Sequence, residues 1–297
     1  CGVGVGRYRL PPYEFMSQLT SYSKDIVKSA LSLNGSTGTW LDAAKHIKSA
    51  SSVGELTDIG QNSTGYAFYV AGHTYGTPGV DSSGLYRPFT NKFGLINAYT
   101  PMEFGFLLGD LVQEPSNKSW KLVKEDLARL DPRIKNIVVP GNHDVGVGGN
   151  NAKRDIFIQQ FGETFSSFVH NNDLFIMLDG NIDGWNISGE QLQFLRSALE
   201  TNSENTNNIF IFSHQLIWQD DSKAELKKAR PNSLAGRSRT LDFWDEVFPL
   251  FDGLDNDIYL FSGDVGAFPN GNELFYAQHL GLTFVATGMG GGVSDNF

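Results

Sequence analysis

From residue 66 onward the chain alternates between short apolar runs and longer stretches in which apolar residues recur at helical spacing. The short runs, rich in β-branched and aromatic residues, fall at 66–71, 104–108, 137–139, 174–178, 209–212, 258–261, 273–277 and 283–286, and read as strands. Helical spacing covers 120–130, 152–161, 188–199 and 241–251. The third helix carries a start signal, Ser188 as N-cap with Gln191 three residues on as its capping-box partner. Near-continuous apolar strands alternating with amphipathic helices predict an α/β protein in which helices cover the sheets.

The first 65 residues follow a different pattern. Pro11-Pro12 closes a terminal segment, and a helix-like stretch over 13–33 sets Phe15, Leu19, Ile26, Ala30 and Leu31 roughly on one face. Residues 34–39 and 49–65 are rich in Gly, Ser, Thr and Asn and read as loops. The predicted division is therefore a juxtamembrane or stalk-like helical arm over 1–65 and an α/β domain over 66–297.

Cys1 is the sole cysteine, so no intrachain disulfide forms. Cys1-Gly2 suits a lipidated bacterial terminus, and an arbitrary start or a cut anchor accounts for it equally. The segment Gly2-Val3-Gly4-Val5-Gly6-Arg7-Tyr8-Arg9 is similar to the exit of a membrane helix into the interfacial zone. The expectation drawn from it is an anchored protein of the bacterial periplasm, cell envelope or exterior. Sequons at Asn34, Asn62, Asn117 and Asn186 carry little weight in a chain so rich in Ser and Asn.

Composition narrows the function classes. The 297 residues include 33 acidic and 23 basic ones, a net charge of −10, which argues against a nucleic-acid partner because counterion displacement needs a cationic surface. A 40% apolar fraction with 22 Phe supplies a packed core and excludes a disordered chain.

The candidate chemistry sits where the strands end. In order these ends read Gly72-His73-Thr74-Tyr75-Gly76, Gly109-Asp110, Gly141-Asn142-His143-Asp144, Ser213-His214-Gln215 and Ser262-Gly263-Asp264-Val265-Gly266. Strand ends are where α/β folds assemble ligand sites. Carboxylate, amide oxygen and imidazole together, with thiolates absent, suit Mn, Fe or Zn.

This ordered series resembles the calcineurin-like metallophosphoesterase superfamily from about Tyr66 onward, most strongly at Gly-Asn-His-Asp 141–144. The resemblance implies a four-layer αββα sandwich with metal ions at the sheet ends. It implies Asp110 as the carboxylate shared by two metals, with Asn142 and His214 as ligands of the second. It implies His143 as the histidine that assists the leaving group.

Two motifs depart from the family pattern. The first, usually Gly-Asp-X-His-Gly, reads Gly72-His73-Thr74-Tyr75-Gly76; the last, usually Gly-His-X-His, reads Gly263-Asp264-Val265-Gly266. Both changes strip ligands from the first metal position. The second keeps Asp110, Asn142 and His214, with Asp264 standing for a histidine, so one strong divalent-metal site is expected. His73, freed from ligation, becomes a candidate base or phosphate donor, or pairs with Asp264; Tyr75 and Asp144 become candidate substrate contacts.

The expected activity is metal-dependent hydrolysis of a phosphomonoester or phosphodiester in a phosphorylated substrate. The alternative is a catalytically silent protein of the same fold with a binding, assembly or structural role, favoured by the lost ligands. For the remaining conspicuous residues the ordinary account is preferred. His170 and His279 read as structural and His46 as solvated. Trp185, Trp218 and Trp244 read as core, Gly288 and Gly290-Gly291-Gly292 as packing or turn glycines, and Lys227-Lys228 with Arg237 and Arg239 as solvated surface.

Overall fold

Two β-sheets face each other across a layer built almost entirely from alternate strand residues. Tyr66, Phe68 and Val70 of one strand, Phe104, Phe106 and Leu108 of the next, and Phe175, Met177, Phe210, Phe212 and Phe261 opposite are all buried in that layer. Their period of two is the strand period, so every second side chain of each inner strand enters the same core. The rings of Phe106 and Phe212 stack across it with centroids 3.9 Å apart. The computed structural model describes residues 31–33, 65–80, 84–148, 152–268 and 274–290.

The four-stranded sheet has the order β1-β2-β3-β4, comprising Leu31–Leu33, Tyr66–Gly72, Met102–Leu108 and Lys135–Val139. β2, β3 and β4 run parallel. The six-stranded sheet has the order β5-β6-β7-β8-β10-β9. Its strands are β5 (Ser166–His170), β6 (Asp173–Met177), β7 (Asn208–Ser213), β8 (Asp257–Ser262), β9 (Leu274–His279) and β10 (Leu282–Thr287). β6, β7, β8 and β10 are parallel, and β5 and β9 close the two edges antiparallel.

Helices cover both outer faces. Against the smaller sheet lie α1 (Arg87–Thr90), α2 (Phe93–Ala98), α3 (Asn117–Leu127) and α5 (Ala152–Phe161), which bury Phe89, Phe93, Ile96, Trp120, Val123 and Phe157. Against the larger sheet, α6 (Gly189–Asn202) and the turns over 243–251 bury Leu195, Leu199, Phe243, Val247 and Phe251. The four-layer αββα order expected from the resemblance is the order observed. Trp185 and Trp218 are buried in the second of these outer cores, as expected.

Three local expectations change. Residues 13–30 lie outside the described residues, and so does nearly all of the 1–65 arm. The last three residues of the expected helix, Leu31–Leu33, instead form β1 antiparallel to β2, because pairing with the open edge of β2 outweighs local helical spacing. α6 does begin after Ser188, but no capping box forms. Ser188 Oγ donates to Asp183 at 2.6 Å, and Gln191 turns inward to bond Asp179. The reciprocal box forms at α3 between Ser116 and Ser119. Over 241–251 the backbone makes a π-turn and a 3₁₀ turn, where Pro249 denies a regular helix its hydrogen bond. No helix of the described residues is long and apolar enough to cross a membrane.

Candidate metal centre

The parallel strands of both sheets end at one place, and each contributes a polar residue there. β2 and β8 meet so closely that a methyl group on Gly72 would collide with the Thr287 carbonyl and the Gly263 backbone. Glycine at 72 and 263 is what lets the two sheets converge.

Asp110 follows β3 in a left-handed conformation, φ 55°. That strain is held by Asp144, whose carboxylate accepts the backbone N–H groups of Asp110 (2.7 Å), Leu111 (3.0 Å), Val112 (3.2 Å) and Gly141 (2.9 Å). Both oxygens of the buried Asp144 carboxylate are taken by these four N–H groups, so Asp144, expected as a substrate contact, instead braces the turn that aims Asp110. Burial, and then the charge of Asp110, push the Asp144 carboxyl up to about 7.

Three imidazoles converge with a shared geometry. His73 Nδ1 lies 2.8 Å from the Met289 carbonyl, His143 Nδ1 2.8 Å from that of Gln113, and His214 Nδ1 2.7 Å from that of Leu108. A carbonyl only accepts, so each Nδ1 carries its hydrogen and each ring presents Nε2 to the centre. His214 Nε2 is 3.4 Å from Asp110 Oδ2 and 3.8 Å from Asp264 Oδ1, while His73 Nε2 is 3.7 Å from the same Asp110 oxygen. His73 therefore faces Asp110, and Asp264 is met by His214.

His214 Nε2 and both oxygens of Asp264 are buried yet lack hydrogen-bond partners. Buried acceptors are normally satisfied, and a bound cation would satisfy this set, which is aimed at one point. Asp110, His214 and Asp264 offer ligand atoms all within 4.8 Å of one another. One nitrogen and carboxylate oxygens suit Mn, Fe or Zn, and this donor set fits such an ion. Burial pushes the Asp264 carboxyl up to about 7, against the pull of His214. Burial opposes charge on His214 too, but Asp110 and Asp264 outweigh it and carry the imidazole up to about 10. Without a metal, a proton on His214 stands where the cation would sit.

The remaining expected residues line the approach. His143 lies at the start of the short helix α4 (Asn142–Val145), and its N–H donates to Asp110 Oδ1 at 3.0 Å. Asn142, half-buried, precedes it. The Tyr75 ring sits between His73 and His143, with centroids at 4.4 and 5.1 Å, and its hydroxyl is 3.5 Å from His143 Nε2. Burial holds the Tyr75 phenol above its ordinary range and pushes His73 down. Asn181 and Asp179, beyond β6, are buried beside these turns. Asp179 marks the end of the 174–178 run in the sequence, but a polar pair following a strand carries no ligand pattern of its own, so neither residue is singled out there as a site residue.

No protein-family model matches this chain, and no curated protein matches it. By structure it is similar to a purple acid phosphatase from seeds of yellow lupin (Lupinus luteus), with a TM-score of 0.51 and 14% identity over 75% of this chain and 44% of the other. It is also similar to a dimetal phosphatase from Danio rerio (TM-score 0.47, 12% identity, 74% of this chain and 86% of the other). A third likeness is to the phosphopantetheinyl hydrolase of Mycobacterium tuberculosis (TM-score 0.42, 10% identity, 76% and 89%). This chain thus spans less than half the length of the lupin phosphatase. Its fold is the calcineurin-like metallophosphoesterase fold.

Proposed function

We propose that this chain is a metal-dependent phosphoester hydrolase, acting on phosphomonoesters or phosphodiesters. The observation that carries the reading is the buried Asp110–His214–Asp264 group with its unpartnered Nε2 and carboxylate oxygens at the joint end of two sheets. Asp110, His214 and Asp264 would hold one divalent cation, with Asn142 as the amide ligand that the resemblance implies. When bound, that cation supplies Lewis-acid chemistry, drawing charge from phosphoryl oxygens and activating water.

The chain's own side chains do the rest. Asp110 is kept ionised, because His214 and His73 outweigh the effect of its burial. His143 gives a proton from Nε2 to the leaving oxygen as hydroxide, formed from water by release of a proton to solvent, joins phosphorus and the ester P–O bond breaks. Its Nδ1–H bond to Gln113 fixes the ring so that Nε2 alone faces the reacting group. Tyr75 packs against that ring and offers its hydroxyl to a phosphoryl oxygen.

One cation rather than two is supported by the first-motif residues. His73 and Asp110 are the pair facing that side of the centre, and Gly266, at the place of the family's last histidine, has no side chain to add. That same loss supports the second reading, a silent protein that binds through the centre. Turnover of an aryl phosphomonoester and an aryl phosphodiester by Mn-, Fe- or Zn-loaded protein separates the two. Metal-dependent turnover abolished by His143→Ala supports the hydrolase; no turnover with any of the three metals contradicts it.

A further inference from the structure

The centre is assembled from two separate sheets. Asp110 and the 141–144 turn belong to the four-stranded sheet, and His214 and Asp264 to the six-stranded one. The geometry of the centre thus depends on whatever ties the two sheets at this end.

Besides the imidazoles of His73 and His214, whose Nδ1 atoms meet carbonyls of the opposite sheet, the side chain of Asn181 bonds both halves. Asn181 is 3% exposed and follows β6. Its Nδ2 donates to the carbonyl of Pro140 at 3.0 Å, the residue just before Gly141-Asn142-His143-Asp144. Its Oδ1 accepts from Gln215 Nε2 at 2.5 Å, the residue just after His214. Its own carbonyl accepts the Gly148 N–H at 2.9 Å, on the far side of the same turn. Asn181 is itself anchored, since Asp179 Oδ1 accepts both its backbone N–H and its Nδ2 at 2.9 Å. Asp179 in turn is held by buried Arg154 and by Gln191.

We propose that Asn181 is a positioning residue that sets the separation between the His143 turn and the His214 strand end. This rests on the reading of the centre as a metal site. An amide is suited to the task because it donates to one sheet and accepts from the other through a single rigid plane. Hydrophobic packing between the sheets lacks that directionality and tolerates small slips.

The test compares Asn181→Leu, which fills a similar volume without the polar bonds, with Gln215→Ala, which removes one of them. Tyr66→Phe serves as control; it loses the 2.5 Å bond from Tyr66 to Asp173 at the opposite strand end. For each variant, thermal unfolding, the Mn(II) dissociation constant and kcat are measured. We expect Asn181→Leu to weaken Mn(II) binding and to lower kcat by roughly tenfold or more. Gln215→Ala should move both in the same direction, and the two changes should be non-additive when combined. Tyr66→Phe should lower the melting temperature and leave the Mn(II) constant unchanged. Wild-type Mn(II) affinity in Asn181→Leu overturns the proposal, and if that variant does not fold, wild-type affinity in Gln215→Ala does so. A native chain that binds Mn(II) but turns over no phosphoester contradicts the hydrolase reading while the affinity comparison still decides the role of Asn181. A native chain that binds no Mn(II) overturns both.

Discussion

Asp144 accepts the backbone N–H of Asp110 at 2.7 Å, so one carboxylate holds in place the strained residue that carries another. The two are consecutive layers of one site: Asp110 meets the histidines, and Asp144, behind it, fixes the left-handed turn that aims it. Two buried carboxylates so close repel, which is part of why Asp144 is pushed up to about 7 after burial has had the larger effect. Four N–H donors offset that repulsion.

Removing this brace should damage folding and metal binding together. Asp144→Ala leaves the N–H groups of Asp110, Leu111, Val112 and Gly141 without their acceptor, and we expect a loss of about 3 kcal/mol in urea unfolding. Mn(II) affinity should fall with it. A variant as stable as the native chain would show that the turn holds without Asp144.

His143 should behave differently, because its ring lies outside the Asp110–His214–Asp264 group. His143→Ala is expected to keep its metal content and lose roughly 10²- to 10⁴-fold in kcat. Metal analysis alongside steady-state kinetics checks this. Loss of the metal instead would make His143 a ligand.

The metal-free chain should lose stability as pH rises above 7. The His214 imidazole is raised from 6.5 to about 10 in the fold. Its contribution is complete below pH 6.5 and disappears as pH climbs through 10. Asp264, raised from 3.8 to about 7, has already lost its contribution by then. A cation must displace the His214 proton, so Mn(II) affinity should rise over the same interval by up to about tenfold per pH unit. Melting temperatures with and without Mn(II) from pH 7 to 10 should therefore diverge. A constant difference across that range would contradict the assignment of His214.

Gly72→Ala tests the convergence of the sheets. The added methyl meets the Thr287 carbonyl and the Gly263 backbone, neither of which is a flexible side-chain end. A loss of about 3 kcal/mol is expected, with weaker metal binding. A neutral effect would mean the strand ends can separate without disturbing the site.

Much of this was legible in the sequence because strand ends leave local marks. The apolar runs located all the inner strands. The polar residues that follow them identified Asp110, His214 and Asp264, which the fold brings together, and His143, which it places beside them. The motif sets Asp144 among the substrate contacts because it gives identity and spacing but not direction; only the fold turns it inward. The sequence leaves open whether His73 pairs with Asp264 or takes another role, and the fold sets it against Asp110, since which carboxylate an imidazole meets depends on how two sheets are docked. The bonding roles of Asn181 and Asp179 leave no local mark, as their partners lie in four other segments. The capping box expected at Ser188 yielded to Gln191's buried bonds with Asp179, a tertiary preference that no local pattern encodes.

The most direct test of the central claim is the metal content of the purified chain and of Asp264→Ala, measured through Mn, Fe and Zn titrations with phosphoester turnover followed in the same samples. One tightly held cation per native chain, turnover that saturates with it, and loss of both in Asp264→Ala are the predicted results. A native chain that holds no metal, or an Asp264→Ala chain that holds it as tightly, would contradict the assignment of Asp110, His214 and Asp264 as the centre.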